Sequence, residues 1–355
     1  MTAQGAYRWR IAALLGAAVL CLTALPRAGA AQADTARRDA ARPVAARPVD
    51  SASAHGTVRA DTLWAQALGV RKQFLVYLPP SYAVEPDRRY PVAYYLHGLY
   101  GSEADWVQQG RIARTLDSLI ARGMPELLVV MPDGDDGWYT TWNTLGDVGA
   151  CRAAPHDEPA ASYCVPWPHY DDYVARDLVA YVDSTYRTLP ARAHRGIAGL
   201  SMGGYGAVAL ALAYPDVFSA AASHSGTLSP RHRPTADSTT PPGEAYATGV
   251  EEMARIWGGM WPRLHPAFGS DTSAWQARDP ATLLRRLLAR SPATVPALYL
   301  DVGRDDPLAH QTRDFERTLR SLEVPHTYVT GPGGHDWGYW RRQVGESLRW
   351  LAERL

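Results

Sequence analysis

Apolar residues along this chain fall into two alternating patterns. Short, near-continuous runs stop abruptly at turn residues: YPVAYYLHG (90–98), ELLVVMPDG (126–134), FSAAASHSG (218–226) and VPALYLDVG (295–303). Runs of this length and apolarity are what strands buried on both faces produce. RKQFLVYLPPSY (71–82) alternates before ending at Pro79 and Pro80, and YVTGPGG (328–334) offers a last short strand and turn. Between them, apolar residues recur every three or four positions in DWVQQGRIARTLDSLIARG (105–123), DDYVARDLVAYVDSTY (171–186), TRDFERTLRSLEV (312–324) and WGYWRRQVGESLRWLAERL (337–355). These read as helices with one apolar face. Strand and helix in alternation predict an α/β fold: a mainly parallel central sheet covered by helices on both faces. The rhythm fails over residues 229–289, rich in Pro, Thr and Trp, which is expected to form a cap-like insertion near the functional site.

The N-terminus departs from this pattern. Arg8 and Arg10 precede the apolar run IAALLGAAVLCLTAL (11–25), too short to span a bilayer comfortably, and AGA (28–30) follows. That is the layout of an export signal with its cleavage site, so residues 1–30 are expected to be removed and the protein secreted or periplasmic. Val19 and Leu20 are bulky where a lipoprotein signal needs a small residue before its cysteine, so no membrane anchor is expected after cleavage. Residues 31–56, rich in Ala, Arg, Pro and Ser without apolar periodicity, read as a disordered leader or tether, leaving 57–355 as the folded domain.

Composition narrows the partners. Lys plus Arg and Asp plus Glu each number 36 in 355 residues, with no long block of like charge, which speaks against nucleic acid. Lys72 is the single lysine. Two cysteines follow the signal, Cys151 and Cys164, and at this spacing in an oxidising compartment they are expected to form a disulfide. DGDDG (133–137) lacks the glutamate that a calcium loop requires and reads as a polar turn; no metal or organic cofactor is expected.

The candidate chemistry centres on GLSMGGYGA (199–207). A serine that attacks a carbonyl must stand clear of the backbone on a tight strand-to-helix turn, and Gly199 and Gly203 leave room for such a turn around Ser201. The helix that follows would aim its N-terminal N–H groups at the reacting centre, with Met202 donating to the oxyanion. A second donor is available in LHGLYGSEADW (96–106), where Gly98 lets the chain turn so that the Leu99 N–H faces the same point. In LYLDVGRDDP (298–307), Asp301 falls inside the strand, leaving Asp305 and Asp306 as the loop candidates for an orienting acid. GPGGHDWGYW (331–340) puts His335 on the loop after the last strand, where a general base belongs. The order serine, acid, histidine is the α/β-hydrolase order. His97 precedes the serine and ends a buried strand, and is expected to fix the turn by hydrogen bonding.

VYLPPSY, YPVAYYLHGLYGSEADW, MPDGDDGWYTTW, RTLPARAHRGIAGLSMGGYGAVALALAYPDVFSAAASHSGTL, DVGRDD and GGHDWGYW together resemble the esterase D-type family of α/β-hydrolases. That family includes S-formylglutathione hydrolases, secreted acyl and feruloyl esterases, and mycolyltransferases. The resemblance spans roughly residues 56–355. It implies Ser201 as nucleophile, His335 as base, Asp306 as the acid, and Leu99 and Met202 as oxyanion donors. The expected activity is hydrolysis of carboxylic esters through an acyl-enzyme. The rivals are acyl transfer to a sugar hydroxyl and a non-catalytic binding module. Trp138, Tyr139 and Trp142 follow a strand on the serine's sheet edge, and Trp257, Trp261 and Trp275 lie in the insertion. The first three are candidates to line a cleft for short or aromatic acyl esters, including carbohydrate-linked ones.

Overall fold

A computed structural model describes residues 55–143, 145–155 and 159–355. The export signal and the leader as far as residue 54 lie outside the described residues. Eight strands form one sheet: β1 (Thr57–Ala65), β2 (Val70–Leu78), β3 (Val92–Leu96), β4 (Leu128–Pro132), β5 (Arg195–Leu200), β6 (Ala220–His224), β7 (Ala297–Gly303) and β8 (His326–Gly331). Their order is β1-β2-β4-β3-β5-β6-β7-β8. β2 runs antiparallel to β1 and β4, and every other pairing is parallel. All residues of β3, β4, β5 and β6 are buried, which is why their sequences show no polar alternation.

Successive side chains of these strands feed two cores. Val92, Tyr94, Leu96, Val130 and Ile197 share one face with the helix Met202–Ala213, whereas Ala93, Tyr95, Val129, Met131 and Ala198 face the helices Ile112–Ile120 and Trp337–Ala352. The single helix expected over 105–123 is interrupted. A short turn, Asp105–Gln108, is followed by Arg111 in a left-handed conformation at φ 54° before Ile112–Ile120 begins. The break seats Trp106 wholly inside the core, its indole N–H donating to the Leu96 carbonyl at 2.9 Å.

Between β6 and β7 the chain makes a helical excursion, Val250–Trp257, Trp261–Phe268, Thr272–Arg278 and Pro280–Arg290. The last of these does not belong to the insertion, contrary to the boundary expected at 289. It packs on Met202–Ala213, burying Leu284 and Leu287, and is the crossover helix that two parallel neighbours in a sheet require. Its N-cap, Asp279, whose carboxylate accepts the Thr282 N–H at 3.0 Å, marks where the insertion ends.

A buried histidine pair clasps the start of this excursion to the helix Ala309–Ser321. His232 and His310 stack with Nδ1 atoms 3.0 Å apart, and Tyr246, bridged to His232, donates its hydroxyl to Asp314 at 2.8 Å. One Nδ1 must donate and the other accept, so at least one of the two rings is neutral. Burial, then the neighbouring His232 and Arg313, holds the His310 pKa down to about 4. At pH 7 both folded and unfolded states carry this imidazole neutral. As pH falls below about 6.5 the unfolded chain takes up a proton that the folded chain refuses, so stability is lost progressively down to about pH 4. Scanning calorimetry of His310→Gln between pH 7 and pH 5 is expected to show a smaller fall in Tm than the parent; equal falls would assign the acid sensitivity elsewhere.

Candidate active site

Parallel register brings five loop starts to one sheet edge. Leu96 is level with Gly199, Leu200 with His224, His224 with Asp301, and Gly303 with Gly331. Residues just beyond these positions therefore meet although they are distant in the chain.

Ser201 occupies the turn between β5 and the helix Met202–Ala213 with φ 53° and ψ −116°, outside the regions an L-residue favours. Its N–H donates to the His224 carbonyl at 2.9 Å, and its carbonyl accepts the Tyr205 N–H at 3.0 Å. The turn is possible only because its flanks lack side chains. A Cβ on Gly199 would lie 2.3 Å from the Gly203 carbonyl oxygen, and one on Gly203 would lie 2.4 Å from that of Leu96.

His335 stands between this serine and a buried carboxylate. Its Nε2 is 2.9 Å from Ser201 Oγ and its Nδ1 is 2.9 Å from Asp306 Oδ2. A carboxylate accepting from Nδ1–H leaves Nε2 as the acceptor for the serine hydroxyl. The Asp306 side chain is fully buried and also accepts the Leu308 N–H at 2.8 Å. Burial pushes its pKa up, but the hydrogen bond and charge of His335, with bonds from Ser225 and Leu308, hold it below the usual carboxylate value. Asp305, the other loop candidate, is exposed, and its backbone N–H donates to Gly333 at 3.0 Å. Asp301 is deep in β7, with its carboxylate 2.6 Å from His224 Nδ1.

Two residues of this constellation carried no sequence signal. Ser225 follows β6 in a left-handed conformation at φ 50°, and its hydroxyl accepts the Trp340 indole N–H at 3.1 Å while bonding Asp306. The Trp340 ring stands edge-on to His335 with centroids 5.0 Å apart. Both look like ordinary core residues in the sequence, because only the fold brings them behind the acid and the imidazole.

On the other side of Ser201, the segment after β3 closes in. A Cβ on Gly98 would lie 3.5 Å from Ser201 Cβ, so Leu99 and Met202 flank the serine. His97 fixes this turn, its Nδ1–H donating to the Gly98 carbonyl at 2.8 Å and its Nε2 accepting the Gly134 N–H at 2.9 Å.

The aromatic residues expected along a cleft are placed differently. Trp138 and Tyr139 are each only 1% exposed. Trp138 packs edge-on against Tyr205, Trp257 and Phe268, and Tyr139 fills the space above Gly206, where a Cβ would come within 2.5 Å of its ring. The small residues of the elbow helix admit these rings, and the insertion closes over them. Trp142 is half-buried and lines a small cavity of about 90 Å³ with Tyr163, Val165, Tyr170 and the disulfide that joins Cys151 and Cys164. Trp257 and Trp275 are also buried.

Beneath the loop after β4 lies a buried ionic cluster. Lys72 contacts Asp133 and Asp135, the latter at 2.7 Å, and Tyr170 donates to Asp135 at 2.8 Å. Burial and the Asp133 charge push the Asp135 pKa up to about 8 against the pull of Lys72. Among the described residues, no group of three or more His, Cys, Asp or Glu side chains could hold a metal ion, and no helix is long and apolar enough to cross a membrane.

A family model described as "Putative esterase" matches residues 65–351. An acetyl esterase of Caldicellulosiruptor saccharolyticus is 26% identical over 260 residues, 73% of this chain and 82% of that protein. Esterase Rv1288 of Mycobacterium tuberculosis is 27% identical over 284 residues, 76% of this chain but only 53% of that protein. Among solved structures, the Staphylococcus aureus fluorophosphonate-binding serine hydrolase FphF superposes with a TM-score of 0.61 at 22% identity, covering 84% of this chain and 99% of that one. A ferulic acid esterase gives 0.57 at 24% identity, covering 85% and 99%. The fold is thus that of the α/β-hydrolases, and the chain belongs to the putative-esterase family of carboxylic-ester hydrolases.

Proposed function

We propose that this protein is a secreted serine esterase that works through a Ser201–His335–Asp306 triad. The observation that carries the reading is the continuous run of hydrogen bonds from Ser201 Oγ through both ring nitrogens of His335 to a buried carboxylate. In the first half-reaction, Ser201 Oγ attacks the ester carbonyl carbon while His335 Nε2 takes its proton. The Leu99 and Met202 N–H groups hold the oxyanion, and Asp306 stabilises the imidazolium. Collapse expels the alcohol, which receives the proton from Nε2, and leaves the acyl group on Ser201. Water, deprotonated by the same nitrogen, then releases the acid and restores the serine.

For the acyl group we favour short or aromatic acids, including those carried on carbohydrate. Support comes from the acetyl esterase and ferulic acid esterase among the similar proteins, and from Tyr100, 65% exposed beside Leu99. Rates on acetyl, feruloyl and long-chain fatty esters test this, with a sugar acceptor present in parallel. The expected profile favours acetyl and feruloyl esters with free acid as product. A maximum on long-chain esters would refute the substrate assignment, and an acylated sugar as main product would refute hydrolysis.

A further inference from the structure

The loop after β4 holds a carboxylate that the reaction above leaves idle, yet it is bonded to the segment that carries one oxyanion donor. Asp136 Oδ1 accepts the Tyr100 N–H at 2.8 Å. Tyr100 sits in the left-handed region at φ 63°, a conformation that residues other than glycine disfavour. With the residue 65% exposed, side-chain packing does not account for that conformation. The Gly101 N–H closes a turn onto the Gly98 carbonyl at 3.1 Å with Tyr100 at its third position, and the charge-assisted bond from Asp136 to the Tyr100 N–H ties that turn to the loop after β4.

The geometry links this bond to Leu99. The peptide unit between Leu99 and Tyr100 is planar, so holding its N–H fixes the plane in which the Leu99 carbonyl lies. Only the two torsions at the Leu99 Cα then separate this held plane from the Leu99 N–H, the donor expected to face the oxyanion. If the Tyr100 N–H were released, the turn would lose its tie to the loop after β4 and the Leu99 N–H would be held less firmly.

Asp136 is itself held from two directions. Its Oδ2 accepts from Arg263 Nη1 at 2.9 Å, and the same nitrogen donates to the Tyr163 hydroxyl at 3.1 Å. The Arg263 guanidinium lies 5.4 Å from the Tyr100 ring centroid, and its backbone carbonyl accepts the Trp138 indole N–H at 3.1 Å. Arg263 belongs to Trp261–Phe268, within the insertion. From below, Lys72 and Tyr170 grip Asp135, whose N–H donates to Asp133 at 3.0 Å. The loop that bears Asp136 is therefore anchored in the core, and its side chain is only 13% exposed.

We propose that Asp136 is a positioning residue that sets the oxyanion loop through the Tyr100 N–H, and that Arg263 of the insertion locks it in place. The proposal rests on the serine-esterase reading, and it gives the insertion a part in the reaction: its docking completes the hole.

The test compares Asp136→Ala, Asp136→Asn and Arg263→Met with the parent on a p-nitrophenyl ester, together with hydrogen exchange of the Tyr100 amide. Asparagine keeps a carbonyl oxygen to accept from Tyr100; alanine does not. Asp136→Ala is expected to lower kcat roughly 10- to 100-fold, less than the roughly 100- to 1,000-fold cost of losing an oxyanion donor outright, with KM changed by less than about threefold. Asp136→Asn should recover most of that loss, and Arg263→Met should fall between. Exchange of the Tyr100 amide should accelerate in Asp136→Ala and less so in Asp136→Asn. Unchanged kcat in Asp136→Ala, or an equal loss in the asparagine variant, would overturn the proposal. If the parent itself proves inactive on esters, the serine-esterase reading fails, while amide exchange still decides whether Asp136 holds the loop.

Discussion

Ser201→Ala is expected to abolish ester hydrolysis, lowering kcat by about a million-fold, the scale seen when a triad nucleophile is removed. The hydroxyl is the only atom lost, and its bonding partner, His335 Nε2, is on a ring 24% exposed that water can satisfy instead. The strained backbone at φ 53° is imposed by Gly199, Gly203 and the His224 carbonyl, none of which changes. Alanine tolerates that conformation about as poorly as serine, so Tm should stay within about 2 °C of the parent, as for a substitution worth less than about 0.5 kcal/mol. Turnover on p-nitrophenyl acetate and a thermal melt decide it together. Residual kcat above one part in a hundred with an unchanged melt would mean that another group attacks the ester.

The second large effect falls on the acid. Asp306→Asn is expected to lower kcat about 10⁴-fold, because an amide favours the wrong imidazole tautomer and cannot stabilise the imidazolium. Asp305→Asn should leave kcat within about twofold, since that side chain is exposed and the imidazole is already bonded to Asp306. The folded-state carboxyl of Asp306 titrates below its usual value, so it contributes stability that is present above that value and lost as pH falls through the lowered one. Asparagine removes that contribution, and a small fall in Tm at pH 7 should accompany the loss of rate. Equal losses in the two variants would assign the acid wrongly.

The candidate serine, acid and oxyanion donors were legible in the sequence because they lie one to three residues beyond buried strands, which write themselves as unbroken apolar runs, whereas His335 follows the partly exposed edge strand β8 and was marked by its glycine-rich loop. Choosing between Asp305 and Asp306 needed the resemblance to a family, since neighbouring carboxylates differ only in which way a loop turns. β1 gave no such signal. TVRADTLWA is an edge strand whose first residues are largely exposed, so neither face demands apolar side chains. The break at Arg111 was hidden for the opposite reason: the pattern of apolar positions continues through it, and only the seating of Trp106 shows why the helix restarts. Trp138 and Tyr139 looked like cleft residues because a loop position does not reveal burial. What places Tyr139 in the core is the absence of side chains at Gly134 and Gly206, and Trp138 is covered by Tyr205, Trp257 and Phe268, all visible once the chain has folded back on itself. The end of the insertion was misplaced because the crossover helix follows it without a turn, sharing Asp279 as its cap.

Lys72, the single lysine, lies in β2 with its ammonium sealed from solvent, and β1 and β4 are paired with the strand on either side. A lysine-specific endoprotease therefore has one bond to cut, between Lys72 and Gln73, and it can reach that bond only when β2 leaves the sheet. Cleavage would yield two fragments, one ending at Lys72 and one beginning at Gln73. Its rate at low protease would report the population of molecules in which this half of the sheet is open. Amine-reactive tags would likewise spare Lys72 for as long as the sheet stays closed, so its labelling reads the same opening.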